Sequence, residues 1–426
     1  MKLIMIDEFK ASGKNVGLKI SKNLPVFVLL ALSPIAAVLI PWDFGSIDND
    51  YHKLIANHSL AIILVELFIF IAFFNNENLI SNFVGKLSLH DKLAGSVLLS
   101  VILCSFFYAA VKLLFFISLF ALFIHFIFTI SLFKNIKYSD EHSQNYFWVI
   151  LGISVIVYTG LWAIDFLIWP PTDREWIDRV PGVTNVRWTG FFWLSIFAAG
   201  LASVKAPGIR YLLSVFFGAF GLTMTLWTGT RGSLLAIIFG AACSIILAPD
   251  YRKVIMKYCL LSSFFAIFIN IYAPVPHKQY GMDRIISRAQ PTEILENGGS
   301  GRTILWKQTA ELSLNHPFAG HGIDQFQKMG PKQTLGFKGP HNLLLQILFS
   351  VGIAGALALF YGLWRLLKSY RLEVKKPHQV AAAVFFCGGC IYSVYDNFGY
   401  YPYSISIFTI ATFMLFRPRA LIVRSV

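Results

Sequence analysis

The chain has 426 residues, 56% of them hydrophobic and only 14% charged, against about 25% charged in an average soluble domain. A mean hydropathy of +0.63, 40 phenylalanines and only five cysteines exclude a water-soluble globule, a disordered chain and a disulfide-stapled scaffold. The net charge of +14 raises nucleic acid as a partner, and its placement along the chain settles that question.

What remains is an all-α polytopic membrane protein. A spanning helix needs about 20 mostly apolar residues, and twelve segments meet that pattern: 24–40, 54–74, 93–111, 113–133, 146–168, 190–204, 209–227, 232–248, 254–273, 341–364, 378–395 and 403–416. Pro25 and Pro34 interrupt the first. Lys112 alone separates the third from the fourth. The first apolar run starts only near Leu24, with no small-residue cleavage pattern after it, so no secretory signal peptide is expected. Cys387 and Cys390 form a C-x-x-C inside an apolar run; with Gly388 and Gly389 between them, they read as small residues at a helix-packing position.

Two substantial loops, 169–188 and 274–340, fall on the same side. The second is long enough for a small domain with short helices of its own. It divides the chain into 1–273 with nine spans, 274–340, and 341–426 with three. Helical composition at 302–315 follows an NGGSG run and stops before Pro317. Twelve crossings put both termini on one side. That side collects 22 of the 36 lysines and arginines and only eight of the 22 acids. It therefore carries the whole excess charge, which is the positive-inside pattern of a cytoplasmic face and requires no nucleic acid.

Three residues at expected helix starts on the opposite, outer face could carry chemistry. Gly298–Gly301 lead into a helix opened by Arg302, where free N–H groups and a guanidinium would suit an anion; an ordinary loop with a solvated arginine fits the same residues. Arg231, in TGTRGS, is either a paired functional charge or an arginine snorkelling to headgroups. His341 opens the tenth span. A helix N-terminus disfavours the imidazolium, so a neutral general base is one reading and an interfacial histidine the other. Two guanidiniums and one base would suit a diphosphate leaving group and a hydroxyl nucleophile. Glu66 and Asp165 within spans, and Arg187 and Asp396 in outer loops, are further charges with either a functional or a plain structural reading. No zinc spacing, Walker loop or G-x-S-x-G is present, and no metal or cofactor is expected.

His341 to Gly355 reads HNLLLQILFSVGIAG. This resembles the signature of the O-antigen ligase and polymerase superfamily: His, then Asn, Ser or Gln, nine residues, then G-x-x-G. His341, Asn342, Gly352 and Gly355 occupy its fixed positions. TGTRGSLL is similar to that family's Arg-bearing segment before a span. GRTILWKQTAELSLNHPFAGHG is similar to the Arg-bearing helix and turn of its large periplasmic loop. The matching motifs lie mainly within 225–365.

The resemblance implies an inverting, metal-independent glycosyltransferase of the Gram-negative inner membrane, working on its periplasmic side. Its donor would be a glycan on undecaprenyl diphosphate, and a ligase's acceptor a sugar hydroxyl of lipid A–core. His341 would deprotonate or orient that hydroxyl and Arg231 and Arg302 would hold the diphosphate, with Arg187, Asp396 and Asn342 as further site members. Polymerases and protein O-oligosaccharyltransferases share the motif; the chain length and the single large loop after the ninth span suit a ligase. A lipid-linked sugar flippase or transporter would also show twelve spans. It should, however, place polar groups near mid-membrane on discontinuous helices, whereas these cluster at outer ends.

Overall fold

A computed structural model describes residues 23–39, 57–73, 79–135, 141–172, 175–178, 180–181, 185–205, 207–277, 280–286, 302–330, 339–396 and 402–418. The Gly298–Gly301 run and the lysines before residue 23 lie outside the described residues.

The chain is built almost entirely of helices. In order these are α1 (Leu24–Ala31), α2 (Ser33–Leu39), α3 (Asn57–Phe73), α4 (Leu79–Lys86), α5 (Leu89–Tyr108), α6 (Lys112–Asn135), α7 (Glu141–Ile168) and α8 (Glu175–Asp178). After a 3-10 turn (Val186–Thr189) come α9 (Gly190–Leu201), α10 (Ile209–Trp227), α11 (Arg231–Leu247), α12 (Arg252–Tyr272), α13 (Gly281–Ile286), α14 (Arg302–Ser313), α15 (Phe326–Met329), α16 (Leu343–Ser369), α17 (Pro377–Tyr395) and α18 (Pro402–Leu415). The strands β1 (Tyr370–Leu372) and β2 (Phe416–Pro418) pair antiparallel. Among the described residues, α5, α6, α7, α10, α12, α16 and α17 are long and apolar enough to cross a membrane; α3, α9, α11 and α18 are shorter apolar helices. The first expected span is two helices. Pro34 lacks the N–H that would bond back into α1, and the Ser33 hydroxyl donates to Leu30 O instead (2.7 Å).

Polar contacts sort the helix ends into two sets. At one end Arg365 grips Asp91 (2.8 and 3.1 Å), Lys376 meets Glu141 (3.6 Å), Arg417 meets Glu373 (4.0 Å) and Lys205 lies over the Tyr251 ring (3.6 Å). At the other end Trp227 donates to Pro274 O (3.1 Å) and Tyr158 to Pro181 O (2.9 Å). Helices α9 to α12 and α16 to α18 run alternately between the two ends, which brings the loops near residues 187, 230, 284, 341 and 396 together. Helix α9 is the centre of the packing: every residue in it is buried, and it lies against α7, α10, α11 and α17. Helices α11 and α17 approach so closely that a Cβ on Gly388 would meet the Ala236 carbonyl at 2.6 Å. Glu66 is paired within the bundle, accepting from His125 Nδ1 (2.8 Å) and from the Ser406 hydroxyl, so it ties α3, α6 and α18 together.

Helix α16 is broken at Gly352, which takes φ +62° and ψ −171°. In a continuous helix Ile353 N–H would donate to Phe349 O. Here each finds a partner in the turn after α14: Ile353 N donates to Pro317 O (2.7 Å), while Phe349 O accepts from His321 N (2.7 Å) and Ser350 O from Gly322 N (3.0 Å). Unpaired backbone groups in an apolar layer cost several kcal/mol each (order of magnitude), so the turn is bound into the break. The same segment grips the α5–α6 tip. Gln325, fully buried, accepts from Val111 N (2.8 Å) and donates to Val111 O (3.2 Å), and Ser118 donates to Asp324 (3.1 Å). Burial pushes the Asp324 carboxyl up to about 7.

Two predictions follow from this docking. A Cβ at residue 352 would sit 2.5–2.7 Å from the Phe318 and Pro317 backbone, and a left-handed non-glycine residue costs roughly 1–2 kcal/mol by itself. Gly352→Ala is therefore expected to lower the melting temperature in detergent, while Gly362→Ala in the same helix, with nothing within 4 Å, leaves it unchanged or raised. Equal melting of the two variants would remove the account of the break.

The second concerns Asp324, whose pKa is about 7 when folded against an ordinary 3.8. The folded state binds the extra proton, so stability falls as pH rises between those values, at up to about 1.4 kcal/mol per unit. Asp324→Asn, which keeps an acceptor for Ser118, should be more stable than the parent at pH 8, with the advantage shrinking toward pH 4. A pH-independent difference counts against the assignment.

Candidate active site

The site is assembled on the C-terminal end of α17, whose last carbonyls have no partners within the helix. Asn342 Nδ2 donates to Val394 O (3.3 Å), and Arg302 Nη1 donates to Tyr395 O. Asp396 is the C-cap, its N–H bonded to Tyr392 O (2.7 Å). Cations and amides at a helix C-terminus are electrostatically favourable, which is how one helix end draws together chain segments far apart in sequence.

His341 Nδ1 lies 2.8 Å from Asp396 Oδ1, with both side chains largely buried. A carboxylate accepts, so Nδ1 is the donor, and in the neutral tautomer this places the lone pair on Nε2. Residue 341 itself has φ +50°, outside the helix. Asn342 is the true cap: its Oδ1 accepts from Leu345 N (3.1 Å), and α16 starts at Leu343. Trp306 Nε1, from α14, holds Pro340 O (2.8 Å) and fixes the approach. The expectation that His341 begins the helix is thereby corrected by two residues. Asp396, rather than the helix dipole, is the dominant charge beside the ring, and it would meet the positive charge that arrives with a proton.

The second half of the site is the tight turn from α10 into α11. Thr228 O accepts from Arg187 Nη1 (3.2 Å), and Gly229 O from Arg284 Nη1 (2.6 Å). Arg231 opens α11 and donates through Nη2 to Arg284 O. Tyr392, one turn before Asp396, donates to Arg187 O (3.1 Å) and ties this turn to the α17 end. Arg187 lies in the repelling fields of Arg231 and Arg302, and Tyr392 lies in the field of Asp396, Arg302 and Arg187. Burial pushes the Tyr280 hydroxyl well above its ordinary range despite the pull of Arg187, so it stays neutral and supplies no counter-charge.

The structure thus brings His341, Asn342, Asp396, Arg187, Arg231 and Arg302 to one end of the bundle. Arg284, Tyr392 and the carbonyl of Tyr395 join them unforeseen by the sequence. Arg284 sits in a short segment with no periodic pattern, whereas the four-residue spacing of Tyr392 and Asp396 on one helix was a usable signal. Glu66 stands apart, paired to His125. Among the described residues, no three His, Cys, Asp or Glu gather as metal ligands would. Chemically, the cluster offers a concentration of guanidiniums for a multiply charged oxyanion beside an imidazole backed by a carboxylate.

Residues 216–360 match the family model described as O-antigen ligase. No curated protein matches the chain. The matched segment contains Arg231, Arg284, Arg302 and His341, while Arg187 and Asp396 approach it from either side in sequence. Over residues 216–360 this multi-pass helical membrane protein is similar to the O-antigen ligase family.

Proposed function

We propose that this protein is an O-antigen ligase of the bacterial inner membrane, crossing it twelve times with 274–340 and the cluster on the periplasmic side. It transfers a glycan from undecaprenyl diphosphate to a sugar hydroxyl of lipid A–core. The observation that carries this reading is the meeting of the His341–Asp396 pair with Arg187, Arg231 and Arg302 at the end of the bundle opposite the Asp91–Arg365 and Glu373–Arg417 contacts.

In the proposed reaction the acceptor hydroxyl gives its proton to His341 Nε2, and its oxygen attacks the anomeric carbon of the donor sugar. The bond from that carbon to the diphosphate oxygen breaks, and undecaprenyl diphosphate leaves from the opposite face with inversion. Asp396 stabilises the imidazolium as it forms and holds the ring's orientation. Arg231 and Arg302 take up the charge that develops on the leaving diphosphate, a role in which no metal ion is required. Asn342 fixes the residue beside the base. A transporter is disfavoured by the discontinuous helix α16: its break at Gly352 is filled by the protein's own Pro317–Gly322 turn.

The lipopolysaccharide of a strain lacking the protein tests the reading. Core without long glycan, with lipid-linked polymer accumulating, is the ligase outcome. Core carrying one repeat unit means a polymerase, and normal lipopolysaccharide with an unglycosylated periplasmic protein means a protein O-oligosaccharyltransferase.

In a reconstituted transfer assay His341→Ala should lose about 10²–10⁴-fold in turnover while still binding donor. Arg302→Lys should weaken donor binding despite keeping its charge, because the two-pronged geometry is lost. Near-normal transfer by well-folded His341→Ala removes the base.

The same assay in excess EDTA is expected to keep its full rate. A loss restored by magnesium or manganese would show that the arginines are not the diphosphate's only electrostatic partners.

A further inference from the structure

We infer that Arg284 is a positioning residue for the diphosphate site: it locks the Thr228–Arg231 turn and so fixes the direction of the Arg231 guanidinium. The inference rests on the donor-binding role proposed for Arg231.

The contact is reciprocal. Arg284 Nη1 donates to Gly229 O (2.6 Å), while Arg231 Nη2 donates to the backbone carbonyl of Arg284 itself. Two bonds in opposite directions close a ring between the turn and α13. Gly229 takes φ +62°, and a Cβ there would lie 3.1 Å from Arg284 Cδ, so the aliphatic stem of Arg284 also packs over the turn. Trp227 Nε1 bonded to Pro274 O (3.1 Å) holds the beginning of the same loop to the same helix end. The neighbouring carbonyl, Thr228 O, is held by Arg187. Consecutive carbonyls of the turn are thus each fixed by a guanidinium, and the third arginine emerges from it.

The position is consistent with an indirect role. Arg284 bonds the turn's backbone at Gly229, the residue two before Arg231. A long arginine side chain loses rotamer freedom when it binds an anion. Fixing the Arg231 guanidinium beforehand removes part of that loss, and a bond to a charged donor that does so is worth about tenfold or more in affinity.

The test is a double-mutant cycle on the full-length protein in nanodiscs, with undecaprenyl diphosphate as the probe. Its members are the parent, Arg284→Met, Arg231→Met and the double variant, each checked for thermal stability. Arg284→Met should weaken binding about tenfold and raise the donor KM. Turnover at saturating donor should also fall, because Arg231 takes up charge that develops on the leaving group, while the pH profile stays as in the parent because the His341–Asp396 pair is untouched. In the Arg231→Met background the same substitution should cost nothing further. Effects that multiply, or unchanged binding by Arg284→Met, overturn the inference. If Arg284→Met does not fold, Arg284→Lys is measured in the same cycle; weaker binding supports the role and parental affinity overturns it. A parent that does not bind undecaprenyl diphosphate, or binding indifferent to Arg231→Met, removes the proposed function of Arg231 and this inference with it.

Discussion

The end of a helix in apolar surroundings leaves carbonyls that must find donors, and in this protein that requirement organises the site. The α17 terminus takes an amide from Asn342 and a guanidinium from Arg302. Each of those residues is anchored in a different element, so satisfying two carbonyls fixes three helices relative to one another. Asp396, as the next residue, is then placed against His341 with no separate scaffold. The bonds that satisfy the helix end also set the geometry of the candidate site, so loosening the site separates these carbonyls from their protein partners.

The break in α16 obeys the same constraint by a different route. Splitting the helix at Gly352 exposes an amide and two carbonyls, and the Pro317–Gly322 turn supplies the complementary groups. The segment that carries Arg302 at one end therefore ends in the middle of the helix that His341 precedes. Gln325 then ties this segment to the α5–α6 tip. Arg302 and His341 are held in register from both sides: by α17 above and by the filled break below. The fixed glycine of the G-x-x-G pattern acquires a physical reason here, since the backbone of Pro317 and Phe318 occupies the space a Cβ would need.

Much of this was legible in the sequence where the signal is local. A helix lies within every apolar run, because continuous hydrophobicity over a span's length has few other uses. Arg231 and Arg302 at helix starts were readable for the same reason, as was the interruption at Pro34. The break at Gly352 was not: a glycine in an apolar run reads equally as a packing residue, and only the docked turn distinguishes the two. The convergence of the site was also hidden. His341 and Asp396 are 55 residues apart, and Arg302 and Tyr395 are 93 apart. No pattern in one sequence encodes contacts of that range. The helix start was misplaced by two residues because Asn342, a strong capping residue, competes with His341 for that position.

Electrostatics gives the arrangement its direction. Arg187 lies in the repelling fields of Arg231 and Arg302. The nearby carboxylate, Asp396, lies against His341, and Tyr280 remains neutral. Burying the Arg187 guanidinium beside the other two costs free energy in the folded protein, and packing of the α9-centred core must offset it. A multiply charged anion relieves the repulsion, and a developing anion relieves it more as its charge grows. Carbonyl bonds at Thr228, Arg284 and Tyr395 fix where the guanidiniums point, and each guanidinium has five N–H donors, so one such bond sets direction without exhausting capacity. The field is thus built during folding rather than assembled when the anion arrives. That timing lets fixed dipoles and charges favour a transition state over a ground state, since no reorganisation has to accompany the chemical step.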